Sequence, residues 1–241
     1  MLIINKISNY FKRFKHNFDN LKSNNNFYFL EDTKFLSIYE NTRTILDFHP
    51  NIPLRVHQAI WCAFNANNIV GDIVELGTGK GFLFYNIMCH YGDLLKRKNI
   101  YLCDTFLSFK TDMLTGQQIP ENGISKIYAQ SYEQVKNNFA RWENIKLVKG
   151  LLPNSLMESN FKIDAISFLH VDLNYYKAEI ECLEYLWDKI SPGGLILLDD
   201  FGNPGREAQL NAHLNFFTSK GQTILSLACG QGLIIKTNSG K

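Results

Sequence analysis

Apolar positions recur along this chain in two rhythms, and the rhythms alternate. Residues 53–67, opened by Pro53, carry them at helical spacing; Gly71 then precedes Ile73, Val74, Glu75 and Leu76, a run that reads as a buried strand. A glycine-rich turn leads into an apolar helix over 82–95, and 100–103 reads as a second strand. Ser131-x-x-Gln134 has the form of a capping box and starts a helix through Val135 and Phe139. Further strands follow at 145–148, 165–171 and 195–198, with helices at 178–190 and 207–220. The strand at 195–198 is apolar enough to need cover on both faces. Two last strands, 223–227 and 233–236, are joined through Gly230-Gln231-Gly232. This order predicts an α/β fold: a doubly wound, mostly parallel sheet of seven strands, helices on both faces and a C-terminal antiparallel hairpin.

The N-terminal stretch has a different character. Ile7, Phe11, Phe14, Phe18 and Leu21 fall at helical spacing among Lys6, Lys12, Arg13, Lys15, His16 and Lys22, so residues 1–30 read as a basic amphipathic extension ahead of one domain over 31–241. Such a helix can lie on an anionic membrane surface, giving peripheral contact through residues 1–25, or pack on its own domain or a partner subunit. Packing is the weightier reading, and a homo-oligomer is expected. The asparagine run 24–26 reads as a break.

Composition narrows the class. The 241 residues carry a formal net charge of +2, too small to point to nucleic acid. Five scattered cysteines, none in a C-x-x-C pair, suit free thiols better than a disulfide framework or a zinc site. No apolar run is long enough to cross a bilayer and no secretory signal is visible, so a cytoplasmic location is the default expectation.

Candidate chemistry gathers where such sheets bind ligands, at the C-terminal strand ends. The first strand runs into Glu75-Leu-Gly77-Thr-Gly79-Lys-Gly81. Glycines at alternate positions allow a tight turn and close backbone approach to a ligand, with the next helix's N-terminal amides aimed at the same place. The spacing misses a dinucleotide fingerprint, because Phe82 stands at the third glycine, and a P-loop, because Val74 and Gly81 stand at required positions. The second strand ends at Asp104, placed to accept hydrogen bonds from both hydroxyls of a ribose. The fourth ends at Asp172 and the fifth at Asp199-Asp200, so three carboxylates should converge on neighbouring strand ends. Like charges that close repel unless one is protonated or a cation is present, and hard oxygen ligands suit Mg²⁺ or Ca²⁺. The competing reading is that Asp199 or Asp200 only caps the following loop.

Longer stretches then become specific. Gly71-Asp-Ile-Val-Glu-Leu-Gly77, Tyr101-Leu-Cys-Asp-Thr-Phe106, His170-Val-Asp-Leu-Asn174 with Glu179, Leu183 and Trp187-Asp188, Ser191-Pro-Gly-Gly194, Leu197-Leu-Asp-Asp-Phe201 and the ending Ile224-Leu-Ser-Leu227 with Gly230-Gln-Gly-Leu-Ile-Ile-Lys236 resemble the macrocin/mycinamicin/novobiocin-type O-methyltransferases over roughly residues 39–236. The resemblance implies a Rossmann-like fold and methyl transfer from S-adenosylmethionine to a hydroxyl, usually on a sugar of a natural product or glycan. It implies a cofactor site of Glu75, Leu76, Gly77, Thr78, Gly79, Gly81, Phe82, Asp104, Thr105, Phe106, Gly150 and Asp172. It also implies Mg²⁺ on Asp172, Asp199 and Asp200, with Asp172 and Asn174 at the reaction centre. One residue departs from the pattern: the family has D-x-D where this chain has Asp172-Leu-Asn174, and an amide cannot take a proton. His213 is a conceivable base, although a mid-helix histidine is more often packed. Two other classes stay open, a methyltransferase-like module that binds without catalysing and a nicotinamide-dependent oxidoreductase. Residues 107–129 lack periodicity and hold Thr115-Gly116, Pro120 and Asn122-Gly123, as expected of a lid over a small-molecule or glycan acceptor.

Overall fold

The computed structural model describes residues 14–106, 131–158 and 161–238. The expected lid over 107–129 and the first thirteen residues of the N-terminal stretch lie outside the described residues.

The described residues open with a small hairpin, β1 (His16–Phe18) and β2 (Leu21–Ser23), followed by helices α1 (Thr33–Ile45) and α2 (Pro53–Ala66). Then come β3 (Asp72–Leu76), α3 (Phe82–Leu95), β4 (Ile100–Asp104), α4 (Tyr132–Phe139), β5 (Ile145–Lys149), the short α5 (Asn154–Met157), β6 (Ile166–Val171), α6 (Tyr176–Leu186), β7 (Ile190–Leu198), α7 (Glu207–Ser219), β8 (Leu225–Ser226) and β9 (Gly232–Ile235). Among the described residues the main sheet has seven strands in the order β5-β4-β3-β6-β7-β9-β8. Its first five are mutually parallel, and β9 pairs antiparallel with both β7 and β8. The expected doubly wound sheet with a terminal antiparallel pair is what forms.

Period-two alternation divides the strand side chains between two cores. Ile73, Ile100, Leu102, Phe168, Leu195 and Leu197 face a layer that includes Val56 and Ala59 of α2 and Phe84 and Ile87 of α3. Val74, Leu76, Cys103, Leu169, Val171, Ile196 and Leu198 face the opposite layer, with Leu183 and Leu186 of α6 and Phe217 of α7. Every residue of β6 is buried, the result of cover on both sides. All five cysteines are free, and among the described residues no helix is long and apolar enough to cross a membrane.

The helix expected to run through Phe18 and Leu21 is corrected. Asp19 and Asn20 take left-handed φ values of 49° and 57° and join Phe18 directly to Leu21, its register partner. Two consecutive left-handed residues make a tight hairpin turn that asparagine and aspartate tolerate, and this local chemistry overrides the helical spacing. Phe18 and Phe29 join the first core, alongside Phe35 and Tyr39 of α1. Helix α1, which carries no strong sequence signal beyond Asp32, is capped by that residue's side chain, which accepts from the Lys34 and Phe35 amides.

The hairpin tip also closes α2. Ile52 at that helix's N-cap offers no side-chain acceptor, and Asp19 supplies one from a distant part of the chain. Its Oδ2 accepts from the Leu54 amide at 2.8 Å and its Oδ1 from the Arg55 amide at 3.4 Å. Burial pushes the Asp19 carboxyl up to about 6, against the pull of those amides and of Arg55. Replacing Asp19 by alanine should therefore lower stability by about 0.5–2 kcal/mol, the usual range for a lost N-cap, and Asp19→Asn by less. Urea unfolding at pH 7.5 measures both; equal midpoints in wild type and Asp19→Ala would remove the capping role.

Candidate active site

The strands β3, β4, β6 and β7 deliver Gly77, Asp104, Asp172 and Asp199 to one edge of the sheet. A cavity of about 810 Å³ lined by Asp72, Asn99 and Ala165 lies at the other edge, before the strands begin, away from these groups.

At the exit of β3, Gly77, Gly79 and Gly81 have φ values of +92°, +52° and +80°. Gly77 is the strictest position: a Cβ there would sit 1.9 Å from the Asp172 carbonyl oxygen, so the turn presses on the end of β6 as only glycine allows. Gly81 is the left-handed N-cap of α3 and has no side chain to occupy the helix's first amides. Leu76 and Phe82 are buried in the two cores, so only their backbone faces the turn.

Asp104 is fixed before any ligand arrives. Its Oδ2 accepts from the Gly79 amide at 2.8 Å and its Oδ1 from the Phe106 amide at 2.7 Å, with the Thr105 hydroxyl at 3.3 Å from Oδ1. Gly150, with φ +153°, donates its amide to the Asp104 carbonyl and ties the end of β5 to the same place. Oδ2 keeps a lone pair for a further donor, and on Oδ1 the longer Thr105 hydroxyl contact is the one a ligand hydroxyl would replace, which suits a vicinal diol.

Beneath the turn runs a buried line of charge. Glu75 and His170 are register partners on β3 and β6, with His170 Nδ1 3.3 Å from Glu75 Oε1. His170 Nε2 lies 3.9 Å from Asp199 Oδ1. Burial alone would depress the imidazole, but the Asp199 and Glu75 carboxylates on either side raise it to about 10. Burial pushes Glu75 up, with His170 opposing.

The three acids do meet, with cations and amides already among them. Asp199 Oδ2 pairs with Arg55 Nη1 from α2, and Asp199 Oδ1 accepts from Gln231 Nε2 at 2.8 Å. Asp200 Oδ1 accepts from Asn203 Nδ2 and lies 3.5 Å from Arg55 Nη1; Asp200 Oδ2 lies 3.3 Å from Arg206 Nη2. Asp172 Oδ1 accepts from Asn174 Nδ2 at 3.3 Å, and Asn174 Oδ1 accepts from Arg206 Nη2 at 2.6 Å. Asn174 adopts φ 59°, a left-handed turn that asparagine tolerates. Burial works against Asp199, yet Arg55 and His170 hold its carboxyl down at about 2. Burial and then the charges of Asp199 and Asp200 push Asp172 well up, while burial and Asp199 raise Asp200.

This donor set does not fit the expected Mg²⁺. Four of the six carboxylate oxygens bind or face a guanidinium or amide, a fifth accepts from Asn174, and the described residues hold no metal-competent group of three or more His, Cys, Asp or Glu. His213 is packed rather than poised: it is buried on α7 with Nε2 3.0 Å from Glu179 Oε2, and Glu179 holds the Leu173 amide. Arg55, His170, Arg206 and Gln231 are site residues that sequence reasoning did not assign. Arg55 carried one faint signal, being the only formal charge in the mostly apolar helix α2, and Arg206 carried none beyond its place at the N-cap of α7.

Comparison with known proteins shows the family. The family model described as Macrocin-O-methyltransferase (TylF) matches residues 54–216. The chain is 25% identical over 146 residues to the demethyldecarbamoylnovobiocin O-methyltransferase of Streptomyces niveus, covering 56% of this chain and 54% of that protein. It is 22% identical over 147 residues to the 8-demethyl-8-(2,3-dimethoxy-alpha-L-rhamnosyl)-tetracenomycin-C 4'-O-methyltransferase of Streptomyces olivaceus, covering 56% and 55%. The chain thus spans about half the length of the curated relatives it matches. The solved structure of the O-methyltransferase NovP shares the fold, with a TM-score of 0.61 at 20% identity over 78% of this chain and 81% of that one.

The His170 environment has a consequence for stability. Its ordinary value is 6.5 and its folded value about 10, so the folded state holds the proton more tightly. That stabilisation is fully present below about pH 6.5 and disappears as pH rises through 10. Urea midpoints should fall between pH 7 and pH 10 more steeply in wild type than in His170→Gln, and ¹⁵N-histidine NMR should show a doubly protonated ring at pH 8. A neutral ring at that pH would contradict the charged line.

Proposed function

The chain belongs to the macrocin O-methyltransferase family, and on that premise we propose that it transfers a methyl group from S-adenosylmethionine to a hydroxyl of a sugar, carried on a glycan, a nucleotide sugar or a glycosylated natural product. The observation that carries this reading is the glycine turn against Asp172 together with the Asp104 carboxylate pinned at the next strand end. When bound, S-adenosylmethionine supplies an electrophilic methyl group on a sulfonium.

The chain's own residues have separate tasks. Gly77, Gly79 and Gly81 keep the turn clear of side chains, and the open N-terminus of α3 faces it. Asp104 accepts the ribose hydroxyls through its remaining lone pairs. Asp172 lies between the turn and the acid cluster, and its raised proton affinity suits a base. Asp172 would take the proton of the acceptor hydroxyl, whose oxygen would receive the methyl group that S-adenosylmethionine supplies. Asn174 holds Asp172 Oδ1 and leaves Oδ2 for that proton. Holding the two centres in line supplies most of the acceleration. No step runs through a divalent metal.

Two measurements test this. Calorimetry should show S-adenosylhomocysteine binding, no NAD binding, and a loss of about 1–3 kcal/mol in Asp104→Ala, the usual cost of losing hydrogen bonds to a charged group. Affinity unchanged by that substitution would remove Asp104 from the cofactor site. Methyl transfer should then be assayed across nucleotide sugars and glycans. On a substrate found there, Asp172→Asn should cut turnover by about 10²–10⁴, the range for a lost general base, and leave S-adenosylhomocysteine affinity intact. Binding without transfer to any sugar would favour a non-catalytic module.

A further inference from the structure

We propose that the Arg55 guanidinium is the resident cation of the acid cluster: it holds the place among Asp172, Asp199 and Asp200 that a divalent metal takes in a three-carboxylate site, and the protein binds no such metal there. The inference rests on reading that cluster as the acceptor end of the site.

Arg55 is a built-in part of the protein rather than a passing surface charge. It is 7% exposed, at the third position of α2. Nη1 pairs with Asp199 Oδ2 and lies 3.5 Å from Asp200 Oδ1. Nη2 donates to Asn203 Oδ1 at 3.2 Å and to the Cys229 carbonyl at 3.2 Å. On the far side, Nε faces Asp19 Oδ1 at 3.7 Å. The planar guanidinium is thus fixed from the hairpin tip, from the loop after β7 and from the turn before β9. A metal bound to Asp199 Oδ2 would have to displace Nη1, and the other contacts keep the guanidinium where it is.

Charge counting points the same way. Three carboxylates face Arg55, Arg206, which lies 3.3 Å from Asp200, and His170, which lies 3.9 Å from Asp199. Two guanidiniums, those of Arg55 and Arg206, therefore already lie against Asp199 and Asp200. Asn174, between Asp172 and Arg206, adds no further negative charge. A divalent ion set beside these two guanidiniums would add like charge at low dielectric, next to the place proposed for a cationic cofactor. A guanidinium also has fixed hydrogen-bond directions and exchanges no ligands, so it orients Asp199 without needing to be loaded. Arg55 is in this sense a positioning residue, acting through Asp199.

The test uses Mn²⁺ as the probe, on the full chain after EDTA treatment and dialysis, alone and with saturating S-adenosylhomocysteine. Free Mn²⁺ is read by electron paramagnetic resonance. Wild type should take up no stoichiometric Mn²⁺ at micromolar concentrations. Arg55→Met, which removes the guanidinium and leaves Asp199 and Asp200 facing one another, should bind Mn²⁺ at least tenfold more tightly than wild type. Arg55→Met/Asp199→Asn should lose that gain, and Arg55→Lys should not show it. The proposal is overturned if wild type binds one Mn²⁺ at micromolar concentration and Asp199→Asn abolishes it. It is equally overturned if folded Arg55→Met binds no better than wild type. Should Arg55→Met fail to fold, the wild-type and Asp199→Asn titrations still decide. S-adenosylhomocysteine binding is read in the same samples by calorimetry, so its absence would count against the proposed function whatever Mn²⁺ does.

Discussion

The pair between Arg55 and Asp199 is the contact on which the rest of the site depends. It sits in a file of alternating charge: Asp19, Arg55, Asp199, His170 and Glu75, with successive partners no farther apart than 3.9 Å. The file crosses the hairpin, α2, the end of β7, β6 and β3. Charges this buried are costly to desolvate, and each is tolerated because a neighbour of opposite sign is held close. Removing any member would strand its neighbours, so the hairpin, the helix and three strands are bound to one arrangement. That is why the N-terminal hairpin belongs to the site, although it lies far from the strand ends in sequence.

The two ends of the site are made of different materials. The glycine end is built from backbone: left-handed turns, helix amides and a carbonyl that leaves no room for a Cβ at Gly77. The acid end is built from side chains contributed by several separate segments, which hold one another by charge and hydrogen bonding. A backbone-built end fixes a ligand's shape, whereas a side-chain-built end fixes its own charge and can change partners by substitution.

This difference in materials also explains what the sequence reveals. The sheet was readable because burial on both faces writes itself as short apolar runs, such as 166–171, separated by glycine and proline signals. The glycine turn, Asp104 and the acids after β6 and β7 were readable because each lies directly beyond such a run. The partners of those acids were not. Arg55 meets Asp199 across 144 residues and the Cys229 carbonyl across 174, and no local pattern records such a pairing. The expectation of Mg²⁺ arose in the same way: the acids were visible and the guanidinium among them was not. The hairpin is a different kind of miss. Asp19-Asn20 is a local turn signal, outweighed in the reading by five apolar residues at helical spacing, of which Phe18 and Leu21 instead face each other across the turn.

The position of β9 between β7 and β8 has a consequence for how the molecule is made. During synthesis β7 emerges well before its second neighbour. Until residues 232–235 leave the ribosome, the nascent sheet ends in a bare, apolar edge, the kind of surface that recruits strands from other chains. The same late segment brings Gln231 and the Cys229 carbonyl to Asp199 and Arg55. Sealing that edge and completing the charge network are therefore one event, and a nascent chain shielded by a chaperone up to that moment would be released with its site already assembled.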